Sequence, residues 1–178
     1  MKIIIKNSLS QKKLIELFKR PAQNNNSIKE KVSKIIYDVK KNGHKSVLKY
    51  AKKFDGLNSD SILITKKYLN EQSKIIDIKL ERAIDVAYNN IYKFHIKQIP
   101  KTINVETQKG IVCEKKYLPI ESVGLYIPGG SAVLFSTLLM LGIPAKIAGC
   151  KRIVVCSPVK NEIDPALAYV AKKIGIEE

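Results

Sequence analysis

Val123-Gly-Leu-Tyr-Ile-Pro-Gly-Gly-Ser131 sets a short apolar run directly against the turn Pro128-Gly129-Gly130-Ser131, and a second apolar run follows from Ala132 to Ala148. The order reads as strand, tight turn, helix. Such an arrangement aims backbone N–H groups at whatever lies beyond the strand end, and it serves anions and nucleotides. The turn matches neither G-x-G-x-x-G nor G-x-x-x-x-G-K-[ST], so its glycines also read as plain turn formers. Tyr126 falls near the carboxyl end of the strand, where open α/β sheets hold their ligands. Two readings stand for it: a ring packed against a cofactor, or an ordinary half-buried strand tyrosine.

Downstream the pattern continues with a strand over Arg152–Ser157 and a helix over Pro165–Ile174. The resulting β-α-β-α order is the start of a doubly wound, Rossmann-like parallel sheet. Upstream the periodicity is mostly helical. Leu14, Leu17 and Phe18 mark a helix between Ser8 and Arg20, read as an arm that packs on something else, and a polar linker follows Pro21. Ser27 and Glu30 form a capping box that opens a helix with Ile28, Val32, Ile35, Ile36 and Val39 on one face, ending at Asn42-Gly43. A second helix runs from His44 to Phe54 and stops at Asp55-Gly56. Ser61–Ile64 reads as a short strand, Thr65 as the cap of a short helix, and Ser73–Gln98 as one long helix ending before Pro100. Thr102–Glu106 and Gly110–Tyr117 read as two strands joined at Gln108-Lys-Gly110. The fold class is therefore α/β: a helical N-terminal region with a small β element, then an incomplete parallel sheet. The composition shift near Ser122 divides the chain into an arm over 1–22, the first part of an α/β domain over 23–122, and the beginning of a nucleotide-binding domain over 123–178.

Charge poses the question of nucleic acid. The chain of 178 residues carries a formal net charge of +16. Only Arg20, Arg82 and Arg152 are arginines, whereas recognition of phosphate and bases favours the planar fork of that residue. The lysines are scattered among Ile and Asn through helical patterns, as on a solvated surface. They also concentrate upstream: residues 1–122 hold 26 basic and 12 acidic side chains, residues 123–178 six and four. No charged residue occurs from Val123 to Ala145, long enough for a membrane span, but Pro128, Gly129, Gly130, Gly142 and Pro144 interrupt the run, which suits a buried strand and helix better. Cys113, Cys150 and Cys156 form no C-x-x-C pair and read as free, mostly buried thiols of a cytoplasmic protein. His44 and His95 fall in no metal-ligand spacing, and no metal site or Ser/His/Asp or Cys/His arrangement is expected within the chain.

The opening stretch, with Leu134-Phe-Ser-Thr137, Leu139-Met-Leu-Gly-Ile-Pro-Ala-Lys-Ile-Ala-Gly-Cys150 and Val154-Val-Cys-Ser-Pro158, resembles histidinol dehydrogenase. Echoes run through Phe54-Asp-Gly56, Asn90-Ile91, Phe94-His95, Gln98-Ile-Pro100, Pro119-Ile120 and Ala168-Tyr-Val-Ala-Lys-Lys-Ile-Gly175. The resemblance implies an NAD-dependent, zinc-requiring enzyme that oxidises L-histidinol through the aldehyde to L-histidine, working as a homodimer with active sites shared between subunits. It gives Tyr126 the place of the family's NAD-contacting tyrosine, and no other site residue is carried over. It further implies that the zinc ligands and the Glu-His acid/base pair lie beyond Glu178, so the chain is expected to be an N-terminal portion that is inactive alone. Val133 stands where a proline is common in the signature, and His44 where an acidic residue is common. Two other readings remain at this stage: an assembly module completed by a separate C-terminal half, and a basic nucleic-acid-binding protein.

Overall fold

The computed structural model describes residues 10–19, 26–129, 134–159 and 162–176. The chain divides into two compact units, one up to Ser46 and one from Val47 onward.

The first unit holds helices α1 (Gln11–Phe18) and α2 (Asn26–Asn42). Ser10 caps α1 by accepting from the Lys13 N–H. α2 already includes Ser27, and no acidic residue lies in its first turn, so the Ser27/Glu30 pair falls inside the helix rather than across the cap; the residue preceding α2 is outside the described set. Neither helix buries a side chain; Phe18 of α1 and Val32 and Ile36 of α2 all face outward.

In the second unit α3 (His44–Tyr50, beginning in the first) passes into a π-helical turn over Ala51–Asp55, which Gly56 ends at φ 68°. The segment read as a strand, Ser61–Ile64, forms no regular element and, among the described residues, pairs with no strand. The Ser59 and Ser61 hydroxyls instead accept from the Ser61 and Leu63 N–H groups, giving the backbone local partners that compete with a ladder. Thr65 caps α4 (Lys66–Gln72) as expected, accepting from the Tyr68 N–H at 3.2 Å. The long helix does not start at Ser73. Residues 73–77 form a turn, and α5 (Ile78–His95) begins after Asp77, whose carboxylate accepts from the Lys79 and Leu80 N–H groups at 2.9 and 3.1 Å. That cap satisfies two of the otherwise orphaned donors of a helix start. Glu81 in the first turn and Lys93 and His95 in the last suit the helix dipole. A short 3₁₀ turn, Ile96–Gln98, closes the segment.

β1 (Ile103–Gln108) and β2 (Ile111–Lys115) form an antiparallel hairpin with a bulge between Glu106 and Gln108. The Glu106 carboxylate accepts from the Gly110 N–H at 2.7 Å and holds the turn. Ile103, Val105 and Cys113 share one face of this hairpin by register, and both strands are exposed throughout.

β3 (Ser122–Tyr126), α6 (Phe135–Ile147), β4 (Arg152–Cys156) and α7 (Pro165–Ile174) follow in order, and β3 and β4 pair in parallel. This is the parallel β-α-β-α pattern expected from the sequence. Asp164 caps α7 through the Ala166 and Leu167 N–H groups, with Pro165 in the first turn. Alternation along the strands sends Leu125, Ile127 and Ile153 into a core with Leu138, Leu139 and Ile143 of α6 and Leu167, Val170 and Ile174 of α7. Leu69 of α4 and Ile84 of α5 join the same core. Gly142 lets α7 approach α6: a β-carbon there would meet Ile174 Cδ1 at 2.9 Å and Ile176 Cδ1 at 3.3 Å.

Candidate functional site

The alternation that buries Leu125 and Ile127 turns Tyr126 the other way, 63% exposed. Its partner in the parallel register is Cys156, also exposed, so the two side chains stand together on the outer face at the carboxyl ends of β3 and β4. One further bond extends the pairing: the Ile127 N–H donates to the Cys156 carbonyl at 2.8 Å. Beyond it Pro128-Gly129 and Ser157-Pro158 leave the sheet side by side, with the Pro158 ring against Gly129. Gly130, Ser131 and Val133, singled out from the sequence, lie outside the described residues.

α6 begins after Leu134, which offers no side-chain cap. The Thr137 N–H donates to the Leu134 carbonyl at 2.9 Å, and the Leu134 side chain accepts from none of the first-turn N–H groups. The carboxyl end of β3–β4 thus presents an exposed aromatic ring and, next along the chain, Gly129, a small residue that permits close approach. Those features fit a nucleotide cofactor. Zinc finds no such fit: among the described residues no three His, Cys, Asp or Glu side chains gather where they could hold a metal ion.

His44 is exposed at the start of α3, and His95 Nδ1 lies 2.7 Å from Gln98 Oε1, with its ring edge-on to Phe94. The cysteines are free, but Cys113 and Cys156 are exposed and only Cys150 is partly buried, against the expectation of mostly buried thiols. Cys113 belongs to a hairpin whose strands are exposed throughout, and Cys156 points off the outer face of β4.

A second polar cluster was invisible in the sequence. Asp85 of α5 accepts from the Tyr169 hydroxyl at 2.7 Å and pairs with Lys173 Nζ at 2.8 Å, both on α7. The Lys173 ammonium also lies over the rings of Tyr88 and Tyr169. Its hydrogen bond to Asp85, aided by that from Tyr169, holds the Asp85 carboxyl below the usual carboxylate range. Partial burial, with the adjacent Asp85 carboxylate, pushes the Tyr169 phenol up. Every member is satisfied by another, and the cluster ties two helices rather than opening to a crevice.

Known proteins resemble this chain in sequence and backbone. Residues 18–178 match the family model described as histidinol dehydrogenase. A histidinol dehydrogenase of Campylobacter jejuni (strain RM1221) is 48% identical over 179 residues, covering 100% of this chain and 41% of that protein. One from Idiomarina loihiensis is 43% identical over 174 residues, covering 96% and 39%. The crystal structure of histidinol dehydrogenase from Elizabethkingia anophelis superposes with a TM-score of 0.86 at 38% identity, over 96% of this chain and 40% of that one. The chain spans about two-fifths of the length of these relatives.

Proposed function

Since the chain belongs to the histidinol dehydrogenase family, we propose that it forms the N-terminal portion of an NAD-dependent, zinc-requiring enzyme oxidising L-histidinol to L-histidine in the cytoplasm. The observation that carries this reading is the match of the family model to residues 18–178, which includes the whole β3–turn–α6 signature. Bound NAD⁺ supplies the hydride acceptor. The role of this chain is to hold it: the exposed Tyr126 ring packs against the cofactor, and the uncapped start of α6 receives anionic oxygen. On this reading residues 123–178 are the first half of the NAD-binding domain, 23–122 the first part of a preceding α/β domain, and 1–22 an arm. Acid/base and zinc chemistry fall to residues other than those described here, and the active assembly is a homodimer.

A second reading rests on β3–β4 being a two-stranded parallel sheet, whereas all-parallel sheets are covered on both faces in finished domains. The chain then acts as an assembly module completed by a separate C-terminal half. One experiment tests both. The purified chain, given NAD⁺, Zn²⁺ and L-histidinol, produces no NADH, and turnover appears when it is co-expressed with a C-terminal portion covering the remaining length of the relatives. NADH from the chain alone refutes its inactivity in isolation; an inactive co-purified pair refutes the enzyme reading, and failure to co-purify refutes the module.

A further inference from the structure

Gly129 and Pro158 lie on the two loops that leave the carboxyl ends of β3 and β4. A β-carbon on Gly129 would sit 3.2 Å from Cγ, 3.3 Å from Cβ and 3.7 Å from Cδ of Pro158. Carbon atoms in comfortable contact are about 3.5–4.0 Å apart, so two of these approaches are too close. Three atoms of one pyrrolidine ring line the space, and that ring is fused to its own backbone, so it cannot swing aside as an open side chain does. The backbone carrying it is held two residues earlier, where the Cys156 carbonyl accepts from the Ile127 N–H at 2.8 Å. The restriction is local: Gly124, on the same strand as Tyr126, has nothing within 4 Å of the equivalent position.

We infer that Pro158 is a positioning residue for the cofactor contact proposed at Tyr126. Its ring seats the loop after β3 on the end of β4, Gly129 is the matching small residue, and the pair together fixes the backbone that leads out of Tyr126. The functional half of this inference rests on the reading of Tyr126 as a cofactor contact; the steric half stands on the structure alone.

The test uses the full chain as wild type, Gly129→Ala, Pro158→Ala and the double variant, with amide hydrogen exchange at Ile127, NAD⁺ affinity and melting temperature as readouts. Gly129→Ala, by a clash, and Pro158→Ala, by an emptied contact, each accelerate exchange at Ile127 and weaken NAD⁺ binding on the order of tenfold, while amides of α7 keep their protection. Adding Pro158→Ala makes room for the new methyl and returns both readouts to within about twofold of wild type. A double variant no better than Gly129→Ala, or a Gly129→Ala chain with unchanged exchange at Ile127, overturns the pairing. Exchange that follows the pattern while NAD⁺ affinity does not overturns the positioning role. A wild-type chain that binds no NAD⁺ overturns the cofactor reading and leaves the steric pairing measured on its own.

Discussion

Asp85 and Lys173 join α5 to α7, carboxylate Oδ1 to Nζ at 2.8 Å, and the same oxygen accepts the Tyr169 hydroxyl at 2.7 Å. Asp85 is 40% exposed at its side chain, so solvent screens the ion pair and most of the stabilisation comes from satisfying the partly buried phenol. Asp85→Asn should cost about 1 kcal/mol, read from urea unfolding midpoints. A variant as stable as wild type would show the cluster to be energetically neutral.

The same cluster sets the pH response. The Asp85 carboxyl is lowered from 3.8 in the fold, so its contribution is present above that value and is lost as pH falls through the folded value. The Tyr169 phenol is raised from 10.0, so its contribution is present below that value and is lost as pH rises beyond it. Wild type should lose more melting temperature than Asp85→Asn between pH of about 5 and about 2. Parallel acid slopes in the two proteins would remove Asp85 as a source.

Gly142 should discriminate between side chains by size. Alanine relieves the helix cost of glycine, about 1 kcal/mol, while pressing on the terminal methyls of Ile174 and Ile176. Those opposed effects leave Gly142→Ala within about 1 kcal/mol of wild type. Valine adds two more carbons against buried neighbours and should cost about 1–3 kcal/mol. Equal midpoints for the two variants would mean that α7 shifts freely.

Asp77→Ala removes the cap of α5 and should destabilise by about 1 kcal/mol, with Asp77→Ser recovering most of it. Loss of helical signal on heating at a lower temperature, restored by serine, is the measurement.

On the proposed reading Tyr126→Ala weakens NAD⁺ binding by about tenfold, and Tyr126→Phe keeps most of the affinity because the ring is retained. Neither should alter stability much, since the side chain is largely exposed. Calorimetric titration decides it: an alanine variant that binds as wild type does would remove Tyr126 from the site.

Local signals made much of this architecture legible. The apolar run Val123–Ile127, Pro165 at the start of α7, and Gly110 in the hairpin turn each act over a few residues, and each element formed where expected. Ile76, Leu80, Ala83 and Ala87 keep an apolar spacing straight through the turn before α5, and that spacing hides the cap at Asp77. Ser61–Ile64 carries strand-forming residues, but its serines supply nearer partners for the backbone. The position of Tyr126 at the end of β3 was legible because the strand and turn around it are contiguous in sequence. Asp85 with Tyr169 and Lys173, and Gly129 with Pro158, are meetings of distant segments, and no local pattern announces them.

Tyr126 and Cys156 occupy the face of β3–β4 opposite the one that buries Leu125, Ile127 and Ile153. On the proposed reading, one surface serves two occupants, a cofactor and whatever packs on that side of the sheet. Binding there obeys reciprocity: if a covering segment changes the affinity for NAD⁺ by some factor, NAD⁺ changes the affinity for the segment by the same factor. Cofactor concentration then becomes a control on assembly, and assembly a control on cofactor occupancy, with a single tyrosine ring as the shared boundary.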